Sequence, residues 1–421
     1  MRFGKKSSSG TVREGTAGFP LSRRQVALGL GAALFSPTII RTAHAQQNVI
    51  RFGASLSLTG SLSTESRFVK DGYDMYVRMA NERGGINVGG VPHRVEITYY
   101  DDESNAQRAT ALIDRLIVQD RVNFVLGPYS SGVTLAASTV TERHRTPMVA
   151  AHAASTPIYE RGFRYLFAVL NSVDQYTINI IKIAAERGVK KVALIHENAL
   201  FPNIGMQGAA AQATAAGLEV VYRSDYPSRP TDLSALLTAA WARQPDLLLV
   251  GGYSADMILL TRQAAELGVR PKMFGFLLGP TLPGFVESLK DSAEYVLEPT
   301  QWTANMNWKD DLFGISSQDF ATRFQREFGY VPDYHPPQSA ASLIVYHKAI
   351  EAAKSLDPQR VRDAIAATDI MTFYGPIRFN EKGQNVAKGM GVIQIQNQRP
   401  VVVYPAANKE AELVFPIPRR N

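Results

Sequence analysis

The chemistry most legible in this chain lies in two short stretches, Asn123 to Gly132 and Pro147 to Pro157. Each begins as an apolar run suited to a buried parallel strand and ends in small or hydroxyl residues where the chain must turn. Two neighbouring strand ends of this kind bring hydroxyls and free backbone N–H groups to one edge of a sheet. In an open α/β sheet that edge is where ligands bind. Ser130-Ser131-Gly132 opens a predicted helix, Val133 to Arg143, whose amides and dipole favour a carboxylate or another anion. The residues therefore predict a small-molecule site that grips an acidic group with neutral donors.

The elements needed to position such a site follow in regular alternation. Val49 to Leu56 reads as a strand, and Val69, Tyr73, Tyr76, Val77 and Ala80 recur at helical spacing before Gly84-Gly85 ends the helix. Val95 to Tyr100 is the next strand, after which Ser104 is placed to cap a helix striped by Leu112, Ile113, Leu116 and Ile117. Asp101-Asp102-Glu103 between them has no histidine at ligand spacing, so a loop-capping role is expected there. The alternation restarts with strands at Val192–His196, Val220–Tyr222, Leu247–Val250 and Met273–Phe276. A restarted pattern predicts two similar lobes rather than one growing sheet.

Charge and composition narrow the class. The 421 residues hold 45 Lys/Arg and 38 Asp/Glu, a formal charge of +7. Residues 1–45 alone carry +6, from seven basic side chains against Glu14, and the remainder is almost neutral. The basic balance thus belongs to a leader, and no nucleic-acid partner is expected. That leader has a basic start, an apolar run from Val26 to Ile40 and a small-x-small signal at Ala43-His44-Ala45. Ser22-Arg23-Arg24-Gln25-Val26 also resembles a twin-arginine export motif. The expectation is a periplasmic protein cleaved near Ala45, monomeric and not membrane-spanning in its mature form. With no cysteine, disulfides, thiolate metal sites, a cysteine nucleophile and a lipidated cysteine anchor are all excluded.

The order strand, Leu58-Thr-Gly60 loop, helix, Asn81-x-x-Gly-Gly-Ile86, strand, Asp-Asp, helix, Gly127-Pro-x-Ser-Ser131 and a second Ala/Ser/Thr turn resembles the branched-chain amino-acid-binding proteins of ABC importers. The resemblance runs from about Gln46 to the end. It implies an α/β type I periplasmic-binding fold, two doubly wound parallel-sheet lobes joined by a three-crossover hinge. By this reading lobe 1 comprises 46–168 and 299–376, and lobe 2 comprises 169–298 and 377–421, with Tyr295 to Trp302 as a return to the first lobe. It also implies a small carboxylate ligand, permease and ATPase partners, and neither cofactor nor metal.

In that family a serine of the Gly-Pro-x-Ser-Ser segment and the later Ala/Thr turn hold the ligand's carboxylate. The matching residues are Ser131, with Ser130 beside it, and Ala153 and Ser155. An aromatic after the first strand of the second lobe is matched by Phe201, and a tyrosine after Gly-Gly by Tyr253. The sequence departs from the family where the amino-acid binders carry a glutamate for the ligand's ammonium, since Leu277 stands there. A buried ammonium without a carboxylate would cost several kcal/mol. Either Glu65, in the first loop, supplies the charge, or the ligand is an aromatic or aliphatic acid without an amine. Tyr129, Phe201, Tyr253, Phe276 and Trp302 favour an aromatic ligand. Catalysis is not expected: Gly127 to Gly132 is not a Gly-x-Ser-x-Gly elbow, His196-Glu197 lacks a second histidine, and the seven histidines are scattered. Two alternatives share the fold, a ligand-sensing subunit for a receptor and an amide or urea binder.

Overall fold

A computed structural model describes residues 48–306 and 308–418. The predicted export leader over 1–45 lies outside the described residues. The first sheet contains β1 (Val49–Leu56), β2 (Ile86–Val88), β3 (Val91–Asp101), β4 (Phe124–Leu126), β5 (Met148–Ala150) and β6 (Leu166–Ala168) in the order β2-β3-β1-β4-β5-β6. All its pairings are parallel except the β2–β3 hairpin at the edge. The second holds β7 (Lys191–Glu197), β8 (Glu219–Tyr226), β9 (Leu247–Gly251), β10 (Met273–Phe276) and β11 (Leu297–Thr300). After a small separate ribbon of β12 (Asp369–Thr372) and β13 (Gly375–Arg378), the antiparallel pair β14 (Gly391–Gln396) and β15 (Arg399–Tyr404) joins the second sheet beside β11.

The helices are α1 (Ser63–Glu82), α2 (Ala106–Val118), α3 (Ser131–Arg143), α4 (Ile178–Glu186), α5 (Leu200–Ala215), α6 (Ser234–Trp241), α7 (Ser254–Glu266), α8 (Phe285–Leu289), α9 (Ser317–Phe328), α10 (His335–Ala353) and α11 (Pro358–Ala366). Strand order reverses at β1/β4 in the first sheet and at β7/β9 in the second. Those switch points are where an open α/β sheet leaves a crevice beyond its strand ends. Both crevices are used in the site described below.

One expectation shifts by local chemistry. The cap of α2 is Asn105, whose side chain accepts from Arg108 N, because the Ser104 hydroxyl is already engaged with Leu62 N and Thr59 O. The acidic turn before it ties loops, as expected: Asp101 accepts from Thr59 and Glu103, and Asp102 from Ser55, Ser57 and Ser104.

The crossings between sheets also differ from the sequence reading. Tyr295 to Thr300 does not return to the first sheet, because Leu297, Glu298, Pro299 and Thr300 pair with β14 in the second. The expected passage to the second lobe at 377 comes later. Gln384 still bridges to Ala168 on the first sheet, Asn385 N donates to Ala168 O, and the chain enters the second sheet at Gly391.

Helix α10 is buried around most of its circumference, as expected of an element packed on every side. The Tyr346 hydroxyl lies 2.8 Å from both Val125 O and Pro147 O, which pins the helix across the first sheet. Its first turn meets α1 at Gly72, where a Cβ would stand 2.4 Å from Pro336 O. Only the absence of a side chain lets the two helices approach so closely. Gly72→Ala should therefore destabilise the fold by about 1–3 kcal/mol in urea unfolding, the cost of overpacking. Unchanged stability would mean that the two helices do not meet this tightly.

Candidate functional site

The carboxyl ends of the two sheets meet around a small cavity of about 20 Å³. Tyr129, Ser130, Ser131, His152 and Ala154 line it from the turns after β4 and β5. Leu170 and Tyr176 come from the first crossing, Phe201 from the start of α5 and Tyr253 from the turn before α7. Tyr334, His335 and Gln338, at the start of α10, complete the lining. A space of this size holds about one water, so admitting a larger molecule requires the walls to part. A wider groove of about 930 Å³ lies between Trp241, Arg270, Phe274 and Pro416. It borders the entry to β9 and β10, at Asp246 and Lys272, and so lies away from the carboxyl ends where such sheets bind ligands.

The predicted donors fall together. Ser131 is the first residue of α3, and its Oγ accepts from Ser155 N at 3.2 Å, which joins the two turns that the sequence singled out. Ser155 Oγ is buried with no hydrogen-bond partner among the described residues. Ala153 is buried beside them, its carbonyl accepting from the Tyr159 hydroxyl at 2.7 Å. Four rings form an aromatic wall. Tyr129 and Phe201 each lie about 6 Å from Tyr253, at 6.1 and 6.0 Å between centroids, and Tyr176 lies 6.0 Å from Phe201.

Glu65 crosses between the lobes. From the first turn of α1 its Oε1 accepts the backbone N–H of Ser254 at 3.0 Å. Ser254 begins α7, so a carboxylate of the first lobe caps a helix of the second, where the dipole favours negative charge. Glu65 is 1% exposed, and its Oε2 has no partner among the described residues. Glu197 and Asp256 stand near enough to feel that charge. Burial, opposed by Ser228 and reinforced by Glu65, pushes the Glu197 carboxyl above its usual range. Burial, then Glu197, raise Asp256 to about 7.

Two expected site residues, Leu277 and Trp302, lie elsewhere, as does Phe276, one of the aromatics taken to favour an aromatic ligand. Leu277 is packed under α5 in the second lobe, where a Cβ on Gly205 would come 2.4 Å from its Cδ1. Trp302 is buried on the first-lobe side of the hinge, its indole N–H donating to Phe373 O at 2.8 Å. Phe276 packs at a tilt against Phe274 inside the second lobe, 4.7 Å between centroids. Each lost its place in the cleft to core packing, which a sequence window does not distinguish from a wall.

Tyr176, His152, Tyr334, His335 and Gln338 were not anticipated. Two of the seven scattered histidines converge here, with the rings of His152 and His335 stacked at 5.0 Å. The one local signal was Asp333-Tyr-His335 before an apolar helix. Asp333 Oδ1 accepts His335 N at 3.0 Å, and Oδ2 lies 2.6 Å from Nδ1.

Fold and site together define a class, that of two-lobed binding proteins that enclose a solute at the meeting of their sheets. The model of the periplasmic binding protein family matches residues 49–400, and the chain belongs to that family. It is 27% identical to Leu/Ile/Val-binding protein homolog 8 of Brucella abortus (strain 2308), over 94% of this chain and 99% of that protein. Its fold matches the branched-chain amino acid transporter substrate binding protein LivJ of Streptococcus pneumoniae, solved with isoleucine, with a TM-score of 0.75 and 21% identity. That match covers 88% of this chain and 100% of LivJ. An ABC transporter solute binding protein of R. palustris, solved with benzoate, matches with a TM-score of 0.72 and 18% identity, over 87% of this chain and 99% of that one. The family binds solutes, and among the described residues no helix is long and apolar enough to cross a membrane. No group of three or more metal-ligating side chains is present among them.

The raised Asp256 carboxyl predicts a pH dependence. Its value in the folded protein, about 7, exceeds the ordinary 3.8, so the native state binds the proton more tightly than the unfolded chain. The associated stability is complete below about 4 and is lost as the pH rises through about 7. Asp256→Asn should be more stable than the unaltered protein at pH 8, by roughly 1–3 kcal/mol, and nearly equal to it at pH 4. Urea unfolding at the two pH values checks this, and equal stability at pH 8 contradicts it.

Proposed function

We propose that this chain is the extracytoplasmic solute-binding component of an ABC importer and that it captures a small amino acid by hinge closure. The ligand's carboxylate docks on the first lobe, at Ser130, Ser131 and Ser155 and the start of α3. Phe201 and Tyr253 then close over its side chain from the second lobe and exclude water. Closure brings Glu65 onto the N-terminus of α7, a contact that exists only with the lobes together. Contacts available only in the closed form are what let a ligand shift the equilibrium toward it.

The observation that carries the amino-acid reading is Glu65 Oε2, a buried carboxylate oxygen without a partner among the described residues, beside Tyr129 and Tyr253. Leaving such a group bare is costly, and a ligand ammonium removes the cost. The names of the similar proteins, Leu/Ile/Val-binding and isoleucine-bound, support the same class. The four-ring wall favours a second reading, an aromatic acid without an amine, in line with the benzoate-bound relative.

On this proposal the leader directs export to the periplasm, by the twin-arginine route, and is removed near Ala45. The mature monomer then delivers its ligand to a permease and ATPase without catalysing a reaction. The lobes at 46–168 with 299–376 and at 169–298 with 377–421 move as the two halves of the clamp, with the hinge boundaries adjusted to the crossings at Thr300 and Gly391.

Two substitutions divide the readings. Ser131→Ala should weaken binding of any carboxylate ligand by about tenfold in titration calorimetry, the loss of one hydrogen bond to a charged group. Glu65→Gln keeps an acceptor for Ser254 N but removes the charge. It should weaken L-leucine and L-phenylalanine by tenfold or more and leave benzoate unchanged. Equal effects on both classes would place Glu65 in closure alone and favour the aromatic acid.

A further inference from the structure

We propose that His335, held as an imidazolium by Asp333, donates from Nε2 to the ligand's carboxylate and so makes the acid grip of this cleft charged rather than neutral. The inference rests on the carboxylate reading given above and adds to it a residue on α10, far in sequence from the serine turns.

His335 is fully buried, lines the cavity with Ser130 and Ser131, and its Nε2 has no hydrogen-bond partner among the described residues. Its other ring nitrogen lies 2.6 Å from Asp333 Oδ2, and Asp333 is itself 5% exposed. A lone buried carboxylate carries a heavy desolvation cost, and a carboxylate and imidazolium together enter the core with no net charge. In that state both ring nitrogens bear hydrogen, so Nε2 presents a charged donor to the cavity.

The neighbouring ring fixes where the proton resides. His152 Nδ1 lies 3.1 Å from the Gln338 amide nitrogen, which can only donate, so His152 Nε2 carries the hydrogen and donates to Ser339 Oγ at 2.8 Å. Burial, then the nearby His335, keep His152 in its neutral form. Of two imidazoles stacked at 5.0 Å only one can hold a charge comfortably, and only His335 has a carboxylate beside it. The twelve lining residues include neither lysine nor arginine, which leaves His335 as the cationic donor of the wall.

The test compares an acid with its neutral amide, using benzoate against benzamide and L-leucine against L-leucinamide as probes in calorimetry on the full chain. His335→Gln retains a donor without the charge. It should weaken the acids by about 10- to 100-fold and the amides by only about two- to fivefold. Asp333→Asn, which removes the counter-charge, should lower the acid-to-amide preference in the same direction. In unaltered protein labelled with 15N-histidine, saturation with an acid probe should move the His335 Nε2 resonance and leave Nδ1 nearly still. Binding of the acids with an unchanged acid-to-amide ratio in both variants, or an unmoved Nε2 resonance, overturns the role of His335 and leaves the carboxylate reading standing. If the unaltered protein binds none of the four probes, both fall together.

Discussion

A polar group withdrawn from water must find a partner, and the meeting of the two sheets withdraws several without supplying one. Glu65 Oε2, Ser155 Oγ, Glu197 Oε2 and His335 Nε2 are all buried and unpartnered among the described residues, and they come from both lobes. Buried polar atoms are otherwise satisfied almost everywhere in native proteins. Their convergence on one seam is therefore informative in a way that any one of them is not. The seam has acceptors on the Glu65 side, donors at the start of α3 and rings between, the pattern on which the proposed amino-acid ligand rests.

The surrounding architecture keeps those atoms in register. Both strand-order reversals, β1/β4 and β7/β9, open toward the seam. Tyr346 fixes α10 across the first sheet, so the helix start that carries His335 and Gln338 cannot drift from the serine turns. Hydrogen bonds then tie the crossings together. The Tyr374 hydroxyl lies 2.8 Å from Gln301 Oε1 and 2.7 Å from Gln338 Oε1, while Gln301 Nε2 donates to the Tyr176 hydroxyl at 2.6 Å. Tyr176 lines the cavity, and Gln301 follows β11 at the second crossing. The wall of the cavity and the second crossing are thereby joined by one buried polar network.

Much of the fold was legible because βα alternation writes itself into the chain as apolar runs and helical stripes. The turns at Ser130-Ser131 and Ala153 to Ser155 were legible because small and hydroxyl residues cluster at strand ends for a reason of backbone geometry. What stayed hidden depends on pairings across long separations. His152 and His335 stack only because α10 returns to the first sheet, and Glu65 meets α7 across a separation of 189 residues. Leu277, Phe276 and Trp302 illustrate the converse. An aromatic or aliphatic side chain near a strand end satisfies a core as well as a cleft, and only packing decides between them. The return expected from Tyr295 comes only after Thr300, and the passage expected at 377 only at Gly391, because pairing partners, not local sequence, decide which sheet a strand joins.

The most direct test of the central claim is a crystal structure of the protein grown with saturating L-leucine. The account predicts the amino acid between the lobes, its carboxylate bonded to the Ser131–Ser155 turns and to His335, and its ammonium on Glu65 Oε2. A ligand bound elsewhere, or one in the seam that leaves those buried atoms without partners, would contradict it.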